Sequence, residues 1–324
     1  MHDITGAALE YVADERELTK GPYDIADAGE AAAAIDHYLR VRVTAAVARS
    51  AGRTVLQLSG GIDSILLATY VAEVAPGALA VTYSQHVEDP EVGRAAAVAK
   101  QCGLEHVIVR PTDEDFERLL ARVVRALEFP EPWEISAGCV LEAIDGASHE
   151  HGAEGVLLSG AGADALFMGG HTVFPAAGES LVDAWDATLR ANVSKNFKRE
   201  RFVPDFYERL LDDPERHVQI WQTHAAVELA QRIHPSLVQP DDSSHDKYIF
   251  RKLAVDRGVP AEVAFAPKNP MQVSSGLVGA IVDAARRQLE RDFGERTYSS
   301  PLQEQLELTV ARLYLQRLAG EERK

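Results

Sequence analysis

Between residues 54 and 160, short and uniformly apolar runs alternate with longer stretches in which apolar side chains recur every three or four positions. The short runs are TVLQL (54–58), ALAVTYS (78–84), EHVIVRP (105–111) and GVLLSG (155–160). Their length and their flanking Gly, Pro and Ser predict buried strands. SILLATYVAEV (64–74), PEVGRAAAVAKQCG (90–103), EDFERLLARVVRALE (114–128) and the stretch 135–152 predict helices, as does 30–50 ahead of the first strand. The helix at 90–103 has Pro at its first position and Gly at its end, the expected asymmetry. Such alternation predicts an α/β fold with right-handed crossovers and a mostly parallel sheet covered by helices on both faces. After residue 172 the pattern becomes helical, with segments at 179–193, 204–213, 216–233, 247–258 and 300–322. No internal repeat or low-complexity linker interrupts the chain. Residues 1–324 are therefore expected to form one unit, an α/β core over 35–172 and a mainly helical portion over 173–324.

Composition narrows the function classes. A hydrophobic content of 46% and a charged content of 26% are ordinary for a globular protein, but the net charge is −17. Nucleic acid and anionic membrane surfaces both require clustered Lys and Arg, so neither is an expected partner. KNFKRER (195–201) is a short basic cluster and reads as a solvated face. No apolar run reaches the roughly 18 residues that span a bilayer. The first 21 residues lack the apolar centre of a secretory signal. Only Cys102 and Cys139 occur, without paired spacing, which argues against a disulfide framework or zinc site and for a reducing, cytoplasmic location. Cys102 reads as core. Cys139 lies on a helix with a face toward the strand ends and is a lesser candidate nucleophile.

The chemistry concentrates in two turns. SGGIDS (59–64) follows the first strand and opens a helix. Its glycines let the main chain turn tightly and approach a ligand, and the N–H groups at the helix start favour an anion. Leu58, Ser59, Gly60, Gly61 and Ser64 form the expected phosphate cradle, with the Ser59 and Ser64 hydroxyls as added donors. Asp63 repels phosphate unless a cation stands between them, and Mg²⁺ bridges carboxylates and phosphate oxygens in this way. A simple strand–helix turn with an acid in the first helical turn is the plainer alternative. The Walker pattern GxxxxGK[ST] is absent. VLLSGAGADALFMGGH (156–171) repeats the device with Ser159, Gly160 and Asp164.

SGGIDS resembles the SGGxDS loop of PP-loop ATP pyrophosphatases, which split ATP between its α and β phosphates. Together with SGAGADALFMGGH it is similar to the synthase domain of the asparagine synthetase family, where the second turn usually reads SGEGxDExFGGY. DKYIFRKLAVDRGVPAEVAFAPKNPMQVSSG (246–276) resembles that family's K-[WY]-x-L-R helix and R-P-K segment. The resemblance covers roughly 35–172 and 230–280 and implies an ATP-dependent, AMP-forming carbon–nitrogen ligase. It implies that Asp63 and Asp164 hold Mg²⁺, that Lys247 contacts the ATP phosphates, and that Lys268 stabilises charge where pyrophosphate leaves. Tyr83 and Ser84, at the end of the second strand, fall where the family holds adenine largely by backbone groups, and Glu91 falls near the nucleotide. Arg251, one turn after Lys247, either extends this basic edge or pairs with Asp246 or Glu262.

Three departures from the family stand out. Only about fifty residues precede SGGIDS and neither Cys is near the start, so glutamine hydrolysis by this chain is not expected. The nitrogen would come from ammonia, an amine substrate or a separate amidotransferase. The glutamate of SGE is Ala161, which cannot take a proton, and His171, where the family often has Tyr, is the candidate replacement. IHPSLVQPDDSSHD (233–246) lacks the family's PFLD pattern, so the acceptor carboxylate need not be aspartate. A small-molecule, peptide or carrier-bound acid in specialised biosynthesis fits these departures. A tRNA-modifying PP-loop enzyme and a nucleotide-binding relative with impaired catalysis are the alternatives.

Overall fold

Successive strand residues point to opposite sides of the sheet, and the buried apolar set divides accordingly. Leu56, Leu58, Ala80 and Leu158 enter one core, while Val55, Leu79, Val81 and Leu157 enter the other. This division is seen in a computed structural model, which describes residues 18–86, 89–197, 203, 205–240, 245–267, 275–294, 297 and 299–321. In chain order the elements begin with α1 (Ala28–Ala48), β1 (Val55–Gln57), α2 (Ile62–Val74), β2 (Leu79–Tyr83), α3 (Pro90–Gln101) and β3 (Glu105–Val109). There follow α4 (Asp113–Leu127), α5 (Pro132–Glu150), β4 (Leu157–Ser159), α6 (Ala163–Leu166), α7 (Leu181–Asn196), α8 (Phe206–Leu210) and β5 (His217–Gln219). The remainder is helical: α9 (His224–Arg232), α10 (Pro235–Val238), α11 (Tyr248–Asp256), α12 (Ala261–Ala264), α13 (Leu277–Phe293) and α14 (Leu306–Glu321).

The five strands are parallel and ordered β3-β2-β1-β4-β5. The predicted α/β class and mostly parallel sheet are therefore observed. The order reverses between β1 and β4, and the carboxyl ends of strands at such a reversal form a crevice. SGGIDS leaves the end of β1 and SGAGAD the end of β4, so the topology alone sets both turns on this crevice.

Local chemistry fixes the helix starts near it. Asp89 caps α3 by accepting from Glu91 N, with Pro90 in the first turn, and Thr112 caps α4 by accepting from Asp115 N. Helix α11 packs on α1 and α2. Trp221, just past β5, stacks on Tyr38 at 5.2 Å and on Phe250 of α11 at 5.1 Å, with Phe167 edge-on at 5.4 Å. These rings tie the helical portion to the sheet and hold α11 against the end of β4.

Two expectations fail. The stretch 216–233 is not one helix: His217–Gln219 is the fifth strand, and the helix starts only at Thr223, whose hydroxyl accepts from Ala226 N. Three buried residues on a sheet edge are too few to show a period. Helix α13 also lies outside the expected elements; its aliphatic face reaches the second core through Leu277, Ala280 and Ile281. Among the described residues no helix is long and apolar enough to cross a membrane.

Candidate active site

The SGGIDS turn is braced from within. Ser64 Oγ accepts from Ser59 N at 2.9 Å, lies 3.0 Å from both Ser59 O and Ser59 Oγ, and 3.1 Å from Gly61 O. Gly61 N donates to Ser59 Oγ at 3.2 Å. The Ser64 hydroxyl, expected as a ligand donor, is buried here and holds the loop in shape. Gly60 is required by contact rather than by dihedral, since a Cβ there would come within 2.5 Å of Glu91 Cα and 2.7 Å of Glu91 O. The start of α3 therefore abuts the loop and brings Glu91 beside it. Leu58 closes the strand end, its N–H donating to Val81 O and its carbonyl accepting from Thr82 Oγ1 at 2.6 Å.

The second turn touches the first. A Cβ on Gly160 would lie 3.0 Å from Asp63 C and 3.1 Å from Ser64 N. Ser159 Oγ is buried and has no hydrogen-bond partner among the described residues. Asp63 and Asp164 are drawn together by one ammonium group. Lys247 Nζ donates to Asp63 Oδ1 at 2.6 Å and Oδ2 at 2.5 Å, and also to Asp164 Oδ1. Lys247 is 0% exposed, the Asp63 side chain 12% and the Asp164 side chain 53%. Lys247 is thus no surface lysine; it bridges the two acids that the sequence assigns to a metal. Its φ of 50° is uncommon for a residue with a side chain. Strain of this kind persists where surrounding contacts enforce it, and here it sets the ammonium at the crevice.

Arg251 shows the second of its two expected behaviours. Its Nη2 pairs with Asp246 Oδ1, its Nε donates to Asp246 O at 2.7 Å, and its Nη1 to Ala264 O at 2.7 Å and Ala266 O at 3.1 Å. In this way the guanidinium shapes the segment after α11. From the sequence Asp246 was expected only as a partner for Arg251, not as a group shaping the site. Its Oδ2 accepts from Gly170 N at 2.8 Å, linking the Gly-Gly turn to the residue before Lys247. Burial pushes the Asp246 carboxyl up, but the Arg251 and Gly170 donors and the charges of Arg251 and Lys247 outweigh it, and the net shift is downward. A carboxyl lowered on folding stabilises fully above its unfolded value of about 3.9 and loses that contribution as pH falls through its folded value. Asp246→Asn should therefore cost stability at pH 6 and progressively less as pH falls below about 3.9, read as urea midpoints across that range.

Arg94 is a cation at the site that the sequence did not single out. Its Nε reaches Gly60 O at 3.3 Å and its Nη2 Pro267 O at 3.5 Å, with Glu91 Oε1 also 3.5 Å away. The signal was its place one turn after Glu91 on α3. Lys268 follows Pro267 and lies outside the described residues, as do residues 241–244 and most of the basic cluster 195–201. Ser84 is buried, its Oγ donating to Asp89 Oδ2 at 2.8 Å. Tyr83 is buried too, its hydroxyl accepting from Gln85 Nε2 at 2.7 Å, and burial raises its pKa. Cys139 lies in the second core, close enough to Tyr83 at the end of β2 for the two to interact electrostatically, and burial pushes its thiol up to about 12. A raised thiol pKa disfavours the thiolate that a nucleophile needs. Cys102 is half-buried against the first core.

Beside Lys247 opens a cavity of about 550 Å³. Phe167, Met168, Trp185 and Val238 supply its apolar wall, and His171 and His245 line it as well. His171 is exposed and follows the Gly-Gly turn; its N–H donates to Met168 O at 3.1 Å. Among the described residues no cluster of three or more His, Cys, Asp or Glu is arranged to hold a metal by itself.

Two acid-bearing turns at the reversal of a parallel sheet are accompanied by a family match: residues 38–222 fit the asparagine synthase family. The chain belongs to the asparagine synthase family. That places it among ATP-utilising ligases that form amides. Solved structures similar to it include an NH3-dependent NAD synthetase from Campylobacter jejuni subsp. jejuni, 16% identical over 64% of this chain and 93% of that one, TM-score 0.33. An NMN synthetase from Francisella tularensis is 14% identical over the same shares, TM-score 0.32. No curated protein matches the chain. The asparagine synthase match ends just beyond β5, so Lys247 and the cavity wall after residue 222 lie past it.

Proposed function

We propose that this asparagine synthase family member activates a carboxylic acid with ATP, releasing pyrophosphate, and transfers the acyl group from AMP to ammonia or an amine. The observation that carries the reading is the convergence of Asp63 and Asp164 on one cation at the sheet's reversal. The acid's carboxylate oxygen attacks the α-phosphorus and the bond to the β-phosphate oxygen breaks. The amine then attacks the acyl carbon, AMP leaves, and the amine loses a proton.

The chain's own groups have distinct parts in this scheme. The N–H groups of the Ser59–Ser64 turn and the buried Ser159 hydroxyl receive phosphate oxygens. Lys247, and Lys268 by its sequence position, place positive charge where negative charge grows, which is commonly the largest catalytic contribution. The donor set suits Mg²⁺, since two carboxylates already meet around one positive charge and this ion asks for one or two carboxylates beside phosphate oxygens. Asp63 and Asp164 would hold the ion, which when bound neutralises phosphate charge. His171, on the cavity wall, takes the proton in place of the absent glutamate, through a ring nitrogen that carries a free lone pair in the neutral imidazole.

The cavity directs the choice of acid. Its two described cations, Lys247 and Arg251, are committed to Asp63, Asp164 and Asp246, and its wall carries Phe167, Met168, Trp185 and Val238. An acid with an apolar body therefore suits it better than aspartate. Incubating the protein with ATP, Mg²⁺ and hydroxylamine over a panel of aryl, alkyl and amino-dicarboxylic acids tests this by mass spectrometry. AMP, pyrophosphate and a hydroxamate should appear together with an aryl or alkyl acid. Release of ADP, or pyrophosphate exchange that requires RNA and no acid, would refute the assignment.

A further inference from the structure

The helix that closes the described chain presents its faces in reverse. Among residues 306–320 of α14 only Thr309, Arg312 and Gln316 are shielded from solvent, and their spacing puts them on one side. That side rests on α13 through polar contacts. Arg286 Nε donates to Thr309 Oγ1 at 3.4 Å and Arg286 Nη2 to Glu304 O at 3.0 Å. Arg312 Nε donates to Glu304 Oε2 at 2.6 Å, and Gln316 Nε2 to Asp292 Oδ2 at 2.9 Å. The outward side carries Leu306, Val310, Tyr314 and Leu318, a ridge at four-residue spacing whose exposures are 49%, 57%, 60% and 41%. Leu308, Leu313 and Leu315 flank it and are also exposed. A surface helix normally buries its apolar stripe and offers its polar face to water. Contiguous apolar surface beyond a few hundred Å² marks an interaction site.

The geometry points to a second copy of this chain as the occupant, joined by an antiparallel pair of α14 helices. The two-fold axis passes between Val310 and Tyr314. Such an axis sets Leu306 against the partner subunit's Leu318 and Val310 against the partner subunit's Tyr314. It also sets Glu307 against the partner subunit's Arg317, so the surface is complementary to itself in both apolarity and charge. Self-complementarity is what a two-fold interface demands. Ridges at four-residue spacing interdigitate in the commonest class of helix packing. Each body carries a net charge of −17 and repels its copy, so association rests on the apolar ridge.

Sedimentation velocity of the full chain at tens of micromolar in about 0.15 M salt, where charge repulsion is largely screened, should give twice the 35.3 kDa mass of one chain. Tyr314→Glu should return it to one chain with its circular dichroism unchanged. Glu307→Arg and Arg317→Glu should each weaken the dimer by roughly tenfold through two symmetry-related pairs, and together they should restore it. A wild-type chain that stays single refutes the inference, whether another segment or a different partner covers the ridge. So does a dimer untouched by Tyr314→Glu, or charge reversals whose effects simply add.

Discussion

Asp63→Asn is expected to lower the rate of AMP release by about a hundredfold to a thousandfold, the usual scale for losing one preorganised charge at a reacting phosphate or acyl centre. It is also expected to cost about 3 kcal/mol of stability, the lower end for breaking a buried ion pair by removing one partner. The two effects share one cause. Lys247 is fully enclosed and donates two of its three side-chain hydrogen bonds to Asp63. With asparagine in place, the ammonium keeps only the half-exposed Asp164 as an anionic partner there. Steady-state AMP formation and urea unfolding check the two halves separately. A variant that turns over normally would remove Asp63 from the chemistry, and one that loses activity at full stability would show that Lys247 has found another partner.

Gly169→Ala should separate activity from stability in the opposite way. A Cβ on Gly169 would overlap Asp164 Oδ1 and lie 2.6 Å from Asp164 Cγ and 2.7 Å from Lys247 Cε. The backbone there cannot yield easily, because Gly169 N is bonded to Asp164 O at 3.0 Å and Gly170 N to Asp246. The Asp164 carboxylate has the freer path, since its side chain is 53% exposed. It should swing toward solvent, leaving Lys247 on Asp63 alone. We expect a loss of about a hundredfold in AMP release, on the scale of one misplaced catalytic charge. Stability should fall by less than about 1.5 kcal/mol, toward the small end for overpacking, because the displaced group is a surface one. A thermal midpoint that collapses along with activity would mean that the Gly-Gly turn itself is what fails.

The site was legible in the sequence where its function depends on short local patterns. Ser-Gly-Gly and Ser-Gly-Ala-Gly after apolar strands mark turns near a ligand, and the acids two or three positions on mark a charge that needs a partner. What those patterns could not give was the partner. Lys247 follows Asp63 by 184 residues and arrives only because Trp221, Phe250 and Phe167 pack α11 against the end of β4. Arg251 allowed two readings for the same reason, and the fold chose the pairing with Asp246. Arg94 went unnoticed, and Asp246 was named only as a partner for Arg251, because each is an ordinary polar residue until a distant loop is laid against it.

The alternation of apolar strands and amphipathic helices determined by itself a parallel α/β sheet with two acid-bearing turns at strand ends, since short uniformly apolar runs and a 3.6-residue helix period are local properties of the chain. Strand order, the three-residue edge strand β5, the positive-φ placement of Lys247 and the outward apolar ridge of α14 were decided only in three dimensions. Each of these is a contact between segments far apart in sequence, where burial and charge pairing, not local propensity, select the arrangement.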